Sequence, residues 1–136
     1  MRAVESKLKH LEFIQNVIAR MNSNSFLTKG WAITLISALF ALAAKDANIQ
    51  YVLVTYLVTP VFWALDGFFI SQERQYRQLY DEVRSKMESE IDFSMDVSKF
   101  NCGRNTWFSG VWSNTLIPFY GITVMVTVMV MFFIGA

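Results

Sequence analysis

Two charged residues interrupt otherwise apolar stretches of the sequence. Lys29 stands in the segment LTKGW and Asp66 stands in FWALDGFF. Charged groups inside hydrocarbon are costly, so they usually pair with each other or mark a path for ions or protons. The pattern predicts an ion pair between Lys29 and Asp66, which serves either as a structural link between two helices or as a charged gate in a pore. Lys29 could instead extend its ammonium group to the membrane surface.

Hydroxyl groups form a second, weaker pattern in the same apolar stretches. They recur at helical spacing (Thr55 and Thr59, then Tyr120, Thr123 and Thr127). Such a stripe most often marks contacts between helices. It lines a pore only if several copies of the chain surround an axis, because three membrane spans cannot enclose a water path. Both interpretations stay open.

The sequence lacks the common signatures of catalysis and of metal or cofactor binding. It contains no glycine-rich phosphate loop, no His/Cys metal spacing and no nucleophile elbow. The single histidine, His10, is predicted to be a solvated surface residue, and the single cysteine, Cys102, allows no intrachain disulfide. We therefore expect no enzyme, no cofactor and no metal site. The net charge of +1 also gives no bulk attraction for nucleic acid.

Three apolar blocks must position these residues. Only 17% of the chain is charged, whereas a soluble domain usually has about 25% charged residues. The blocks cover residues 26–44, 51–70 and 116–135, and each is close to the roughly 20 residues that cross about 30 Å of hydrocarbon. Backbone groups in hydrocarbon must be satisfied within the segment, so each block is predicted to be helical. The fold class is therefore an all-α membrane protein with three transmembrane helices.

The distribution of basic residues predicts the orientation. Of the twelve Lys and Arg residues, all but Lys45 lie before residue 30 or within 71–115. Cytoplasmic segments are enriched in Lys and Arg, so residues 1–25 and 71–115 are predicted to be cytoplasmic. The turn 45–50 and the C-terminus are then external.

Two amphipathic segments adjoin the first two spans. Residues 1–25 and 71–92 carry apolar side chains three and four positions apart, as one face of a helix does. Neither proline nor glycine separates Ile70 from Gln72, so 51–91 is predicted to be one helix about 60 Å long. The first segment likewise continues into span one. The simplest arrangement is an antiparallel cytoplasmic hairpin; contacts between subunits are a compatible alternative.

The segment 93–115 is rich in glycine, serine, asparagine and large aromatic residues, and it lacks helical periodicity. It is predicted to be a loop at headgroup level that leads into the third span, with a small cap or a binding loop as the alternative. Aromatic residues here and on the preceding helix are the candidates for binding a partner (Tyr76, Tyr80, Trp107 and Trp112).

Parts of the chain resemble a known family. The stretches NSFLTKGWAITLISALFALAAKDAN (24–48), FWALDGFFISQERQYRQLYDEVR (62–84) and PFYG (118–121) resemble short, uncharacterised bacterial inner-membrane proteins. The layout is also similar to that of membrane-acting effectors of anti-phage systems, in which a sensor or nucleotide signal triggers an oligomer to permeabilise the inner membrane. The resemblance implies a location in the inner membrane and a soluble sensor or nucleotide ligand, but it assigns no role to any residue.

These observations lead to one preferred hypothesis and two rivals. The preferred one is a homo-oligomeric inner-membrane protein that acts as a channel-like or membrane-disrupting effector. The first rival is a non-conducting scaffold that docks a soluble cytoplasmic partner through Tyr76, Tyr80 and the neighbouring helix. A transporter ranks last, because three spans give no inverted repeat.

Overall fold

The computed structural model describes residues 2–135, which are mostly helical and contain no strand. The four α-helices are α1 (Arg2–Asp46), α2 (Ile49–Ser85), α3 (Trp107–Val111) and α4 (Leu116–Gly135), and three single-turn 3₁₀ helices lie between α2 and α3 (Glu88–Glu90, Ser98–Phe100 and Gly103–Asn105). The helices α1, α2 and α4 are long and apolar enough to cross a membrane. The predictions of an all-α chain and of three such helices are therefore confirmed.

The helices α1 and α2 lie side by side in opposite directions. They are joined by Ala47 and Asn48, and Ala47 ends α1 by adopting a left-handed φ of 51°. The Asn48 side chain then caps α2 by accepting a hydrogen bond of 3.0 Å from the Gln50 amide. Such a cap satisfies one of the amide groups left free at a helix N-terminus.

The helix α2 ends at Ser85 rather than at Ile91, so the predicted boundary was wrong. Lys86 has an extended backbone, and its carbonyl accepts a hydrogen bond of 2.9 Å from the Lys7 ammonium group of α1. Met87 is exposed, whereas Ile91 reaches the core from a turn. The apolar spacing of these two residues therefore reflects two different environments and not one helix face.

The contact between α1 and α2 changes in character along its length. Near the ends away from the turn it is an apolar core (Ile14, Ile18, Leu79 and Val83, with Val97). Toward the turn, most buried residues are small or polar (Ser25, Thr28, Ala32, Thr55, Thr59, Asp66 and Ser71), although Ile36 and Val52 are buried there as well.

The outer surface of the two helices becomes more apolar where their contact becomes more polar. Around the polar part of the contact, large apolar side chains are exposed (Phe26, Leu27, Trp31, Ile33, Leu53, Leu57, Val61 and Phe68). Water would not favour this distribution, because exposed apolar surface is costly there. Hydrocarbon does favour it, since close packing and polar contacts, not apolar burial, hold membrane helices together.

The segment between α2 and α4 is more ordered than the predicted loop. It folds back along α2, where the Ser71 hydroxyl donates to the Asn105 carbonyl at 2.6 Å. Its last part is the short helix α3, which Thr106 caps by accepting a hydrogen bond from the Ser109 amide. A helix of five residues carries too little periodicity to be recognised in the sequence.

Two glycines let α3 rest directly on α2. A Cβ added at Gly110 would lie 2.5 Å from the carbonyl oxygen of Gly67, and one added at Gly67 would lie 2.5 Å from Cγ2 of Val111. The Trp63 indole donates a hydrogen bond of 2.8 Å to the Val111 carbonyl and so holds the same contact from the side. Larger residues at either glycine would separate the two backbones.

Replacing Gly110 by alanine should therefore destabilise the protein. We expect a loss of about 1–3 kcal/mol in the free energy of unfolding, which is the usual cost of overpacking. Gly121→Ala is the matched control, because nothing lies within 4 Å of its added methyl group. Alanine also favours a helix over glycine by about 1 kcal/mol. Unfolding of both variants in detergent micelles can be followed by tryptophan fluorescence. Equal unfolding midpoints for Gly110→Ala and Gly121→Ala would contradict the contact between α2 and α3.

Candidate functional site

A polar cluster lies where α1, α2 and α4 meet. At its centre is the fully buried Asp66, whose Oδ2 lies 2.7 Å from Lys29 Nζ. The Ser25 hydroxyl donates to Oδ1, and the Tyr120 hydroxyl donates to Oδ2 at 3.0 Å. We call these four residues the Asp66 cluster.

The geometry of α1 explains why two of these donors act together. Ser25 and Lys29 are four residues apart, and such residues are neighbours on one face of a helix. Lys29 Nζ donates to Ser25 Oγ at 2.9 Å as well as to Asp66. The α1 donors therefore engage both oxygens of the carboxylate.

Aromatic rings close the cluster on the α4 side. The Trp63 ring stacks on Tyr120 with centroids 5.6 Å apart, and the Lys29 ammonium group lies 5.9 Å from the centroid of Phe119. The Lys29 side chain keeps only 16% of its surface exposed. A buried charge is tolerated when it is paired and hydrogen-bonded, and Asp66 meets both conditions. Within one chain, the cluster is thus a structural link between three helices.

The predicted stripe of hydroxyl groups does not join this cluster, apart from Tyr120. Thr123 and Thr127 donate to carbonyl groups of their own helix at 2.8 and 2.7 Å, as Thr55 does at 3.4 Å. Thr55, Thr59 and Thr127 are buried. In one chain these residues therefore lie at helix contacts and line no path.

The predicted partner-binding residues fall into two pairs. Tyr76 and Tyr80 pack against the apolar core, and the Tyr76 hydroxyl donates to the Met95 carbonyl at 3.2 Å. They therefore hold the segment after α2 in place. Trp107 and Trp112 are about half exposed, although the Trp107 indole donates to the Ala64 carbonyl at 2.9 Å.

The prediction for His10 was wrong, because its side chain is fully buried. Its Nε2 lies 2.9 Å from the Ser94 carbonyl oxygen, and its ring lies 5.5 Å from the Phe93 ring. The spacing could have revealed this position, since His10 precedes Ile14 and Ile18 at intervals of four residues. The histidine thus belongs to the face of α1 that meets α2.

Two further polar residues escaped the prediction because their partners are distant in sequence. Gln75 is buried and donates to the Ser71 hydroxyl at 3.1 Å and to the Asn105 carbonyl at 2.9 Å. Ser25 stands among the serines and asparagines of MNSNSF, and nothing local distinguishes it from its neighbours. No group of three His, Cys, Asp or Glu side chains in residues 2–135 is placed to hold a metal ion.

No protein-family model, curated protein or solved structure matches this chain. The candidate function therefore rests on the geometry above.

The Asp66 cluster makes a direct prediction about stability. Lys29→Met leaves the carboxylate buried without its counter-charge, and we expect a loss of about 3–5 kcal/mol in unfolding free energy. The double variant Lys29→Met with Asp66→Leu should recover most of that loss, because both charges are then absent. Lys9→Met is the control, since the exposed pair of Lys9 with Glu12 should contribute at most about 1 kcal/mol.

Unfolding titrations in detergent measure the wild type, Lys29→Met, Asp66→Leu, the double variant and Lys9→Met. A double variant whose loss equals the sum of the two single losses would show that the residues are not coupled.

Proposed function

We propose that the chain is a multi-pass protein of the bacterial inner membrane that assembles with copies of itself and acts as a channel-like or membrane-disrupting effector. The observation that carries the proposal is an exposed stripe of small residues on α1. The stripe consists of Gly30, Thr34, Ser37 and Ala41.

The stripe lies on the side of α1 that faces away from α2. At 3.6 residues per turn, it is opposite Ala32 and Ile36, which are buried. Large exposed side chains border it, among them Phe26 and Trp31. Nothing lies within 4 Å of the position that a Cβ of Gly30 would take.

A groove of small residues between large ones suits the close approach of another membrane helix. Within the chain, α4 packs mainly against α2, so the groove on α1 is left for a helix of another subunit. A second copy of the chain provides one. Assembly also supplies what a single three-helix chain lacks, namely enough helices to surround a path for ions.

The Asp66 cluster has a supporting role in this assembly. Both of its carboxylate oxygens already accept hydrogen bonds from within the chain. Of the two roles expected for Lys29 and Asp66, gate or structural link, the geometry favours the link. It would keep α1, α2 and α4 together as one unit while subunits move relative to each other.

The placement in the membrane follows the basic residues. The first part of α1, the last part of α2 and the segment up to α3 carry most Lys and Arg residues, and they are proposed to be cytoplasmic. This cytoplasmic part is where a soluble sensor or a nucleotide would act. The resemblance to anti-phage effectors supports the same view. We therefore propose that the protein permeabilises the inner membrane in response to such a signal.

A second candidate is a non-conducting scaffold that docks a soluble protein. One observation favours it, namely apolar side chains exposed on the part of the chain proposed to be in water. Leu8 and Met87 keep 61% and 68% of their surface, and the partly exposed rings of Phe13 and Phe93 lie 6.2 Å apart. Exposed apolar patches of this kind often mark protein contacts.

Filling the groove tests the preferred proposal. Gly30→Leu should prevent the approach of a second helix, so that the protein becomes monomeric in detergent and no longer releases a dye from vesicles. Gly121→Leu is the matched control, because that glycine also lies in an apolar helix with open space around it. Light scattering after gel filtration gives the mass, and dye release gives the permeability.

The outcomes separate the two candidates. Dye release by the wild type and by Gly121→Leu but not by Gly30→Leu supports the effector. A monomeric wild type that leaves vesicles intact, and that retains a soluble bacterial protein on purification, favours the scaffold over the effector.

A further inference from the structure

We propose that Arg74 and Arg104 form a binding site for a phosphate group at the cytoplasmic edge of the membrane part. The two residues border a groove between α2 and the turn Gly103–Asn105, which Arg77, Asp81, Cys102 and Asn105 also line. None of these residues has a role in the effector function proposed above.

The structure brings two positive charges to one groove, and neither is in a salt bridge with a carboxylate of residues 2–135. Arg74 Nη1 donates to the backbone carbonyl of Arg104 at 2.7 Å, which fixes one guanidinium beside the other residue. Within residues 2–135, neither arginine lies within salt-bridge distance of an acidic side chain. Burial, and then the charge of Arg104, lower the pKa of Arg74 from its usual value.

The nearby acidic residues are already engaged. Glu73 accepts two hydrogen bonds from Arg77, at 3.0 and 2.8 Å. Asp81 lies 3.6 Å from Arg84. The positive charges of Arg74 and Arg104 are thus available to an external anion.

Buried side chains hold the turn that carries Arg104. The Asn105 carbonyl accepts hydrogen bonds from Ser71 at 2.6 Å and from Gln75 at 2.9 Å, and both donors are buried. Gly103 has a left-handed φ of 58°, which glycine adopts without steric cost. These contacts keep Arg104 next to Arg74, although like charges repel each other. The Arg74 guanidinium is held at the backbone of Arg104, whose own guanidinium is exposed, and guanidinium groups match the oxygen atoms of a phosphate.

The position of the site favours a phospholipid headgroup as the source of the phosphate. Arg74 follows the end of the second apolar block by four residues, and Arg104 precedes the exposed Trp107 by three. Tryptophan is enriched at headgroup level, where basic residues attract anionic lipids. This choice of source rests on the membrane placement proposed above, whereas phosphate binding as such does not.

Two binding measurements on the full-length protein test the site. Native mass spectrometry counts the phosphatidylglycerol molecules that stay bound after release from nanodiscs containing phosphatidylglycerol and phosphatidylcholine. Calorimetry with inorganic pyrophosphate, in a detergent without anionic lipid, measures free phosphate. The variant Arg74→Gln with Arg104→Gln is compared with Arg2→Gln and Arg20→Gln together, which removes the same charge from exposed positions outside the groove.

We expect the site variant to bind about tenfold more weakly or worse, because charge-assisted hydrogen bonds are lost, and the control to bind like the wild type. A loss in the lipid measurement identifies a headgroup, and a loss with pyrophosphate alone identifies a free phosphate compound. Equal binding by the site variant and the control in both measurements would overturn the proposal.

If the site variant does not fold, measurements on the wild-type protein test the binding site. Retention of phosphatidylglycerol must then fall as salt is raised and as pyrophosphate is added, because both compete for the same charges. Retention that is insensitive to both would exclude the site. Neither measurement depends on conductance. The test of phosphate binding therefore stays valid even if the protein shows no effector activity.

Discussion

The buried carboxylate of Asp66 constrains the rest of the structure, because a charge in a poorly solvated place requires partners from several directions. Two come from one turn of α1, and the third is the hydroxyl of Tyr120 on α4. No single helix could supply donors on both sides of the carboxylate. The requirement therefore fixes the depth and rotation of three helices relative to one another. Close packing alone would select weakly among such arrangements.

The outer surface around the contact between α1 and α2 is charged along one part and apolar along the other, and the residues of the contact change with it. Where the helices carry a charged outer surface, Ile14 and Leu79 represent the apolar core that water requires. Where the outer surface is apolar, the contact contains Thr28 and Thr55, because hydrocarbon gives no advantage to apolar burial. One pair of helices thus uses two different driving forces. The change occurs close to Ser71, whose hydroxyl donates to the Asn105 carbonyl of the segment before α3.

The parts of this arrangement that could be predicted from the sequence depend on local composition. Lys29 and Asp66 stand out because they interrupt apolar blocks, and their similar depth in neighbouring antiparallel helices suggested the pair. The hydrogen bonds of Ser25 to Asp66 and of Gln75 to Asn105, and the helix α3, depend on residues far apart in the chain, and no periodicity reveals them. His10 shows a different limit, since a polar residue at core spacing was assigned to the surface by its type.

The polar groups of Asp66 and Gln75 differ from two features of the outer surface in having partners within the chain. Inside, Asp66 and Gln75 have their partners, so further binding there would break existing hydrogen bonds. On the outside, the groove around Gly30 has no neighbouring helix, and Arg74 has no counter-ion in residues 2–135. The first suits an apolar helix and the second an anion, and they lie on different helices. The self-assembly and the anion binding that we propose would therefore not compete for the same surface.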